Sequence, residues 1–450
     1  MLRVAIVGSG PAGVYAAEAL SEHGGVLVDV IDRLPCPFGL VRYGVAPDHP
    51  KIKSISLTLR RMLEHPAVRF FGNVEVGAQI ALEDLRRHYD AVLFTCGAAV
   101  DRRLAIPGED LPGSFSATDF VAWYCGHPDA PVDGFKLQAR TVAVIGAGNV
   151  ALDVTRMLAK SVDELRPTDM PDHVLSALEG SRVEDIHLIA RRGPVQAKFT
   201  TKELRELGDL TNADVIIDPS ELELDPASRA ALATTPVARR NLEELHTWAE
   251  RPSGGRPRRV HLRFRLRPVE VLGETRVTGL RLERTRLDAA GNATGTGQMS
   301  RLGAQMVLRS VGYRGLPIAD VPFDERTGVV PNAAGRVMRA GAAVPGVYVA
   351  GWIKRGPTGV IGTNKRDARE TVAALLADAA ALPPAPVRDP DGLAHLLAQR
   401  DVSFVTWRGW CAIEMTEADL GRAQGRERAK ISDRDALLRS AAGHSVEHLL

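Results

Sequence analysis

The sequence predicts an α/β fold of two Rossmann-like dinucleotide-binding domains, one inserted into the other. Three observations carry that prediction: a strand, glycine-rich turn and helix at the N-terminus, a second copy of that unit near residue 140, and two apolar strands, one on either side of the second copy, where the chain would cross between domains. At 450 residues the chain is long enough for two or three full cores.

Composition narrows the class before any motif is read. An apolar fraction of 45%, with 57 basic and 55 acidic side chains, describes an ordinary globular chain with no global attraction to nucleic acid or a membrane surface. Any electrostatic partner site must be local. Cys36, Cys96, Cys125 and Cys411 are far apart, with no CxxC pair for a redox disulfide and no cluster for zinc or an iron–sulfur centre. No metal site is expected, and the four thiols are expected to be buried and reduced. The run LRVAIVGSG is broken by glycine at once, so neither a signal peptide nor a spanning helix is expected. The expected location is the cytoplasm.

The first element is LRVAIVGSGPAGVYAAEALSEHGGVLVDVID, residues 2–32. Gly8 allows a tight turn, Gly10 lets backbone approach a pyrophosphate, Gly13 lets helix pack on strand, and the helix N-terminus faces the phosphates. Asp32, after the second strand, stands where a carboxylate meets ribose hydroxyls. RTVAVIGAGNVALDVTRML, residues 140–158, repeats the pattern through Gly146 and Gly148, with Ala151 at the third position. Two loops imply two dinucleotides, a bound flavin and a diffusible nicotinamide.

HLIARRGPVQ, residues 187–196, is the strand whose end meets the second ribose. Arg191 and Arg192 replace the usual acid there, so they are read as gripping a 2′-phosphate, which favours NADPH over NADH. The alternative is a solvated basic turn. YDAVLFTCGA (89–98) and VLRSVGYRG (307–315) read as strands at the two crossings, giving residues 1–104 and 313–450 to the FAD domain and 105–312 to the NADP domain. Residues 219–300, with the strand-like HLRFRLRPVEVL, read as an excursion of the insert. GVYVAGWIKRGPTGVIGTNKRDARETVAALL (346–376) reads as strand, glycine turns and helix, with a helix N-terminus at about Gly359 to Thr363 for a flavin and Trp352 either stacked on a ring or in the core. After PPAP the tail reads as short helices without chemistry.

With these residues in hand the chain resembles the adrenodoxin-reductase-like NADPH:ferredoxin reductases, bacterial members above all. PFGLVRYGVAPDHPKIK (37–53), FFGNVEVG (70–77), GAGNVALDV (146–154), ARRGPVQAKFTTKELREL (190–207) and GWIKRGPTGVIGTNKRDA (351–368) carry the likeness across nearly the whole chain. The resemblance implies the glutathione-reductase-type pairing of domains, with noncovalent FAD and with NADPH in the insert. It implies FAD contacts at Ala12, Asp32, Leu40, Val74, Trp352, Gly359, Val360 and Ile361. NADP contacts are implied at Arg102, Gly148, Asn149, Val150, Arg191, Arg192 and Glu203, with Gly359 near the nicotinamide. Glu203 would orient an arginine or a ribose, or stand as an exposed helical glutamate. His49 and Glu206 match polar positions near the flavin, either tuning it, handling a proton or serving structure alone. Phe38 stands where many relatives have tryptophan, and nothing resembles the iron–sulfur module that some relatives carry.

The implied reaction is hydride transfer from NADPH to FAD and then single electrons to a separate, acidic ferredoxin, with a cytochrome P450 as one downstream acceptor and a monomer as the expected state. Arg239, Arg240, Arg256, Arg258, Arg259, Arg263, Arg265 and Arg267, with Lys354 and Arg355, are the candidate docking cations, although Glu243 and Glu244 interrupt the first group. A disulfide reductase lacks its dithiol here. A general NADPH diaphorase, a flavin monooxygenase and a non-catalytic redox sensor are the remaining alternatives, separable by the acceptor that reoxidises the protein.

Overall fold

The computed structural model describes residues 1–288 and 291–443, and its chain divides into two compact units. The first comprises Met1–Val100, Cys125–Asp129 and the described residues from Tyr313 onward, and the second comprises Asp101–Tyr124 and Ala130–Gly312. The short return Cys125–Asp129 lies inside the range 105–312 expected for the insert but belongs to the first unit. It joins the first unit through polar bonds: Lys430 Nζ donates to Cys125 O at 3.0 Å, and Asp129 pairs with Arg33 and Arg434.

In the first unit, the strand Leu2–Val7 lies between Val26–Ile31 and Ala91–Phe94, parallel to both. Apart from the buried Arg3 and Asp29, these runs are apolar because the sheet is buried on both faces. Val68–Phe71 extends one side, while Ala342–Val349, parallel to Ala91–Phe94, and then antiparallel Arg336–Arg339 extend the other. The chain from Leu2–Val7 thus goes first to one side and later to the other, so the C-terminal end of this strand is a topological switch point, where α/β sheets bind ligands. The helix Pro11–His23 starts there, with proline at its first turn.

The second unit repeats the plan. Its six-stranded sheet runs Ser114–Ser116, Met306–Arg309, Thr141–Ile145, Asp185–Ile189, Arg258–Arg263, Ala213–Ile216, parallel throughout. Thr141–Ile145 holds the central position, and the helix Asn149–Ala159 follows its glycine turn. HLRFRLRPVEVL is not one strand. Arg265 takes φ 54 and breaks it, so Arg258–Arg263 enters the parallel sheet, whereas Leu266–Leu272 opens an antiparallel ribbon with Gly279–Leu287 and Ala293–Gly303.

The C-terminal tail also departs from expectation. It includes a helix of 17 residues, Trp407–Ala423, whose Glu417 is fully buried against Arg42 of the PFGLVRYG segment. Among the described residues the four cysteines are free, yet only Cys36 and Cys125 are buried; Cys96 is exposed and Cys411 half-buried. No described helix is long and apolar enough to cross a membrane.

Candidate functional site

The two glycine loops are built alike. Gly8 has φ 110, donates its N–H to Ile31 O at 2.7 Å, and has no room for a side chain, since a Cβ would stand 2.8 Å from Thr95 backbone. A Cβ on Gly13 would stand 2.0 Å from Gly8 O, whereas Gly10 faces open space. The strand, turn and helix therefore close tightly on one side and leave the helix N-terminus bare on the other. No side chain caps that helix, so its free N–H groups and positive end suit a pyrophosphate.

Asp32 stands at the strand end, as the sequence predicts. Its Oδ2 accepts from Ser9 N–H (2.7 Å) and Ser9 Oγ (2.6 Å), and its Oδ1 from Leu34 N–H (2.9 Å). The carboxylate thus braces the loop while remaining half-exposed. Phe38 N–H donates to Ser9 O at 3.0 Å, and a Cβ on the next residue, Gly39, would lie 3.1 Å from Gly10 Cα. Phe38 itself takes φ 81, a backbone strain of about 1–3 kcal/mol held by its burial against Trp410. Leu40 is exposed and Val74 is buried, with Val74 N–H bonded to Asp32 O at 2.8 Å.

In the second unit Gly146 N–H donates to Ile189 O at 3.0 Å, and a Cβ there would stand 2.2 Å from Ser310 O. Gly148 faces open space, and the helix after it has no side-chain cap. Asn149 turns its Oδ1 to Thr200 N–H (2.9 Å), so its side-chain oxygen is engaged within the unit, and the adjacent Val150 lies in the uncapped first turn. Arg191 is exposed and Arg192 half-buried just past the strand Asp185–Ile189. Their carbonyls are anchored by Thr285 Oγ1 (2.7 Å) and Arg265 N–H (3.1 Å), while neither guanidinium carries an ion pair among the described residues. Two fixed backbones with such cations suit an anion.

Glu203 is not an exposed helical glutamate; it is 7% exposed. Arg156, itself fully buried, explains why: its Nη2 lies 2.8 Å from Asp153, and its Nη1 3.3 Å from Glu206 and 4.0 Å from Glu203. Sequence reasoning missed Arg156, although Asp153 three residues before it on an otherwise apolar helix face was a readable signal. Arg102 is exposed, with its N–H on Gly312 O at 2.8 Å. His49 is buried in the turn before Pro50–Lys53 and belongs to the first unit, while Glu206 belongs to the second.

The segment from Gly351 closes the first unit's site. A Cβ on Gly351 would lie 2.7 Å from Ala12 Cβ, so strand end and helix start meet. Trp352 is half-buried rather than a core residue; it sits 5.5 Å from the Tyr313 ring and donates Nε1–H to Thr358 O at 3.2 Å. Gly359 (φ 83), Val360 and Ile361 form the tip, with Val360 69% exposed. The helix N-terminus is at Thr363, the end of the predicted interval.

Most candidate docking cations are already engaged. Lys354 and Arg355 turn inward to Asp367. Arg258 binds Leu158 O and Lys160 O, Arg259 pairs with Asp185, Arg265 binds Ser220 O and Glu223 O, and Arg267 pairs with Glu283. Arg256 faces Asp214, and Arg263 faces Glu221. Arg239 and Arg240 are exposed on the helix Pro236–Ala249, although Arg239 Nη2 donates to Leu232 O at 3.2 Å at the end of the preceding helix; Glu244 is held by Arg205 at 2.6 Å, which leaves Glu243 as their exposed acidic neighbour.

Comparisons with known proteins agree with this geometry. A family model for pyridine nucleotide-disulphide oxidoreductases matches residues 2–209. NADPH-ferredoxin reductase FprA of Mycobacterium tuberculosis is 44% identical over 456 residues, spanning 98% of this chain and 99% of the relative. The mitochondrial NADPH:adrenodoxin oxidoreductase of Arabidopsis thaliana is 41% identical over 461 residues, spanning 98% and 95%. The solved structure of Mycobacterium tuberculosis FprA in complex with NADPH superposes with a TM-score of 0.91 at 44% identity, covering 98% of this chain and 100% of that one. Two glycine loops at two switch points, in a chain alike over its full length, place it: the protein belongs to the family of the NADPH–ferredoxin and NADPH:adrenodoxin reductases.

Proposed function

We propose that the protein is an FAD-dependent NADPH:ferredoxin oxidoreductase. The observation that carries this reading is the pair of bare helix N-termini on two glycine loops, with two arginines that carry no ion pair among the described residues just past the strand that neighbours the second loop's own. FAD belongs with the first unit, on Gly8, Gly10, Ala12, Gly13, Asp32, Leu40, Val74, Trp352, Gly359, Val360 and Ile361. NADPH belongs with the second, on Arg102, Gly146, Gly148, Asn149, Val150, Arg191, Arg192 and Glu203. Bound FAD supplies the conversion of a two-electron hydride donor into a one-electron donor.

The chain's own work is binding and orientation. Arg191 and Arg192 select the 2′-phosphate, Arg156 holds Glu203 and Glu206 in place, and His49 and Glu206 are each a candidate for tuning the flavin or holding a proton. The partner is a separate acidic ferredoxin docking at Arg239 and Arg240, and a cytochrome P450 can stand downstream. The reading extends to a monomer in the cytoplasm, a reducing compartment that suits four free cysteines.

Anaerobic stopped-flow tests the proposal. Mixing the yellow protein with NADPH should bleach the flavin rapidly, NADH should do so more slowly, and at least one ferredoxin should reoxidise it fast. Bleaching without reoxidation by any ferredoxin would reject the acceptor, and no bleaching by either nucleotide would reject the hydride step.

A further inference from the structure

Lys354 and Arg355 read in the sequence as surface cations, yet both converge on one carboxylate. Asp367 is 7% exposed on the helix Thr363–Asp378. Its Oδ1 lies 2.9 Å from Lys354 Nζ, and its Oδ2 lies 3.4 Å from Arg355 Nη1 and accepts from Gly351 N–H at 2.5 Å. Gly351 is the residue that closes on Ala12, at the start of the first dinucleotide helix. Lys354 Nζ also donates to Thr371 Oγ1 (3.1 Å), and Arg355 Nη2 donates to Asn364 Oδ1 (3.0 Å). Asn364 Nδ2 in turn donates to Ile361 O at 3.2 Å. One carboxylate and one amide on a single helix therefore fix both ends of the segment from Gly351 to Ile361, while its tip stays open.

We propose that Asp367 is a positioning residue for the flavin segment. It holds the Gly351 backbone against Ala12 and balances two cations that would otherwise stand uncompensated at that junction. The inference rests on the assignment of FAD to the first unit. Within the cluster the formal charge is +1, from two cations and one carboxylate; neutralising the carboxylate makes it +2. Added positive potential favours whichever form of a bound group carries more electrons, and burial weakens screening of that effect. The balance is thus a control on flavin potential as well as on loop shape.

The test uses Asp367→Asn and Lys354→Met in the full chain, with FAD titrated into deflavinated protein and the midpoint potential of the reconstituted holoprotein read by spectroelectrochemistry. Asp367→Asn is expected to weaken FAD binding at least tenfold and to favour the reduced cofactor about tenfold, a rise of about 30 mV for a two-electron couple. Lys354→Met is expected to lower the potential by a similar amount. Opposite signs follow from charge balance, whereas loop distortion alone would shift both variants the same way. Shifts of the same sign, or an Asp367→Asn protein with unchanged FAD affinity and potential, overturn the proposal. If Asp367→Asn does not fold, the sign of the Lys354→Met shift decides. A wild-type protein that takes up no FAD would overturn the cofactor assignment itself, an outcome distinct from either result.

Discussion

At the residue scale, the proposed choice of NADPH over NADH rests on Arg191 and Arg192, whose backbones are pinned and whose guanidinium groups carry no ion pair among the described residues. Arg191→Ala with Arg192→Ala should raise the KM for NADPH at least tenfold, about 1.4 kcal/mol or more, and leave NADH nearly unchanged. Equal losses for both nucleotides in steady-state kinetics would mean that the turn serves structure alone. Histidines make a second prediction. Burial, aided by the nearby His261 and Arg263, pushes His187 down to about 4; burial likewise pushes His127 down to about 4 against the pull of Asp129. An unfolded histidine titrates near about 6.5, so below that pH the unfolded chain binds more protons and stability falls as pH drops toward 4. Replacing His187, stacked 4.3 Å from His261, by glutamine should flatten this limb in urea midpoints taken from about pH 7 to about pH 4.5. An unchanged slope would place the acid sensitivity elsewhere.

At the element scale, the sequence was legible where chemistry is local and silent where it is not. Each glycine loop, its strand and its helix are contiguous, so Gly8, Gly13, Asp32, Gly146 and the two arginines could be placed from spacing alone. Arg42 and Glu417 lie far apart in the chain, and no local pattern joins them. Yet Glu417 accepts from Arg42 Nη1 and Nη2 at 3.1 and 2.5 Å, from Ile431 N–H at 3.0 Å and from Arg428 at 3.2 Å, while Lys430 Nζ donates to Arg42 O at 2.7 Å. Burial alone would raise the Glu417 pKa; Arg42 outweighs it and holds the carboxyl below its ordinary range. With Trp410 edge-on to Phe38 at 6.0 Å, the helix Trp407–Ala423 clamps the strained segment that faces Gly10. Glu417→Ala should therefore cost about 3–5 kcal/mol by leaving Arg42 buried and unpaired, read as a fall in denaturation midpoint together with faster loss of flavin. Arg42→Met with Glu417→Leu should restore much of the stability. If it restores flavin retention equally, the pair matters for packing rather than for its charge.

At the scale of the whole molecule, net charge is a weak guide and placement of charge a strong one. With 57 basic against 55 acidic side chains the chain has little long-range field, and most arginines that looked available in the sequence are committed to carboxylates or carbonyls. Sequence alone could not separate these classes, because Arg259 beside Asp185 and Arg240 on an open helix face carry the same formal charge. What remains for an acidic partner is small, and a small patch can be tested by reversal. Arg239→Glu with Arg240→Glu should slow ferredoxin reduction at least tenfold at low salt while NADPH-to-ferricyanide turnover stays unchanged, since ferricyanide needs no docked protein. Steering weakens with ionic strength, so the native rate with ferredoxin should fall as salt rises and the variant's rate should stay nearly flat. A variant that loses both activities together would mark the helix as structural. One that keeps its salt dependence would move the docking face to another part of the surface, because a charge pattern that still responds to screening has not been removed.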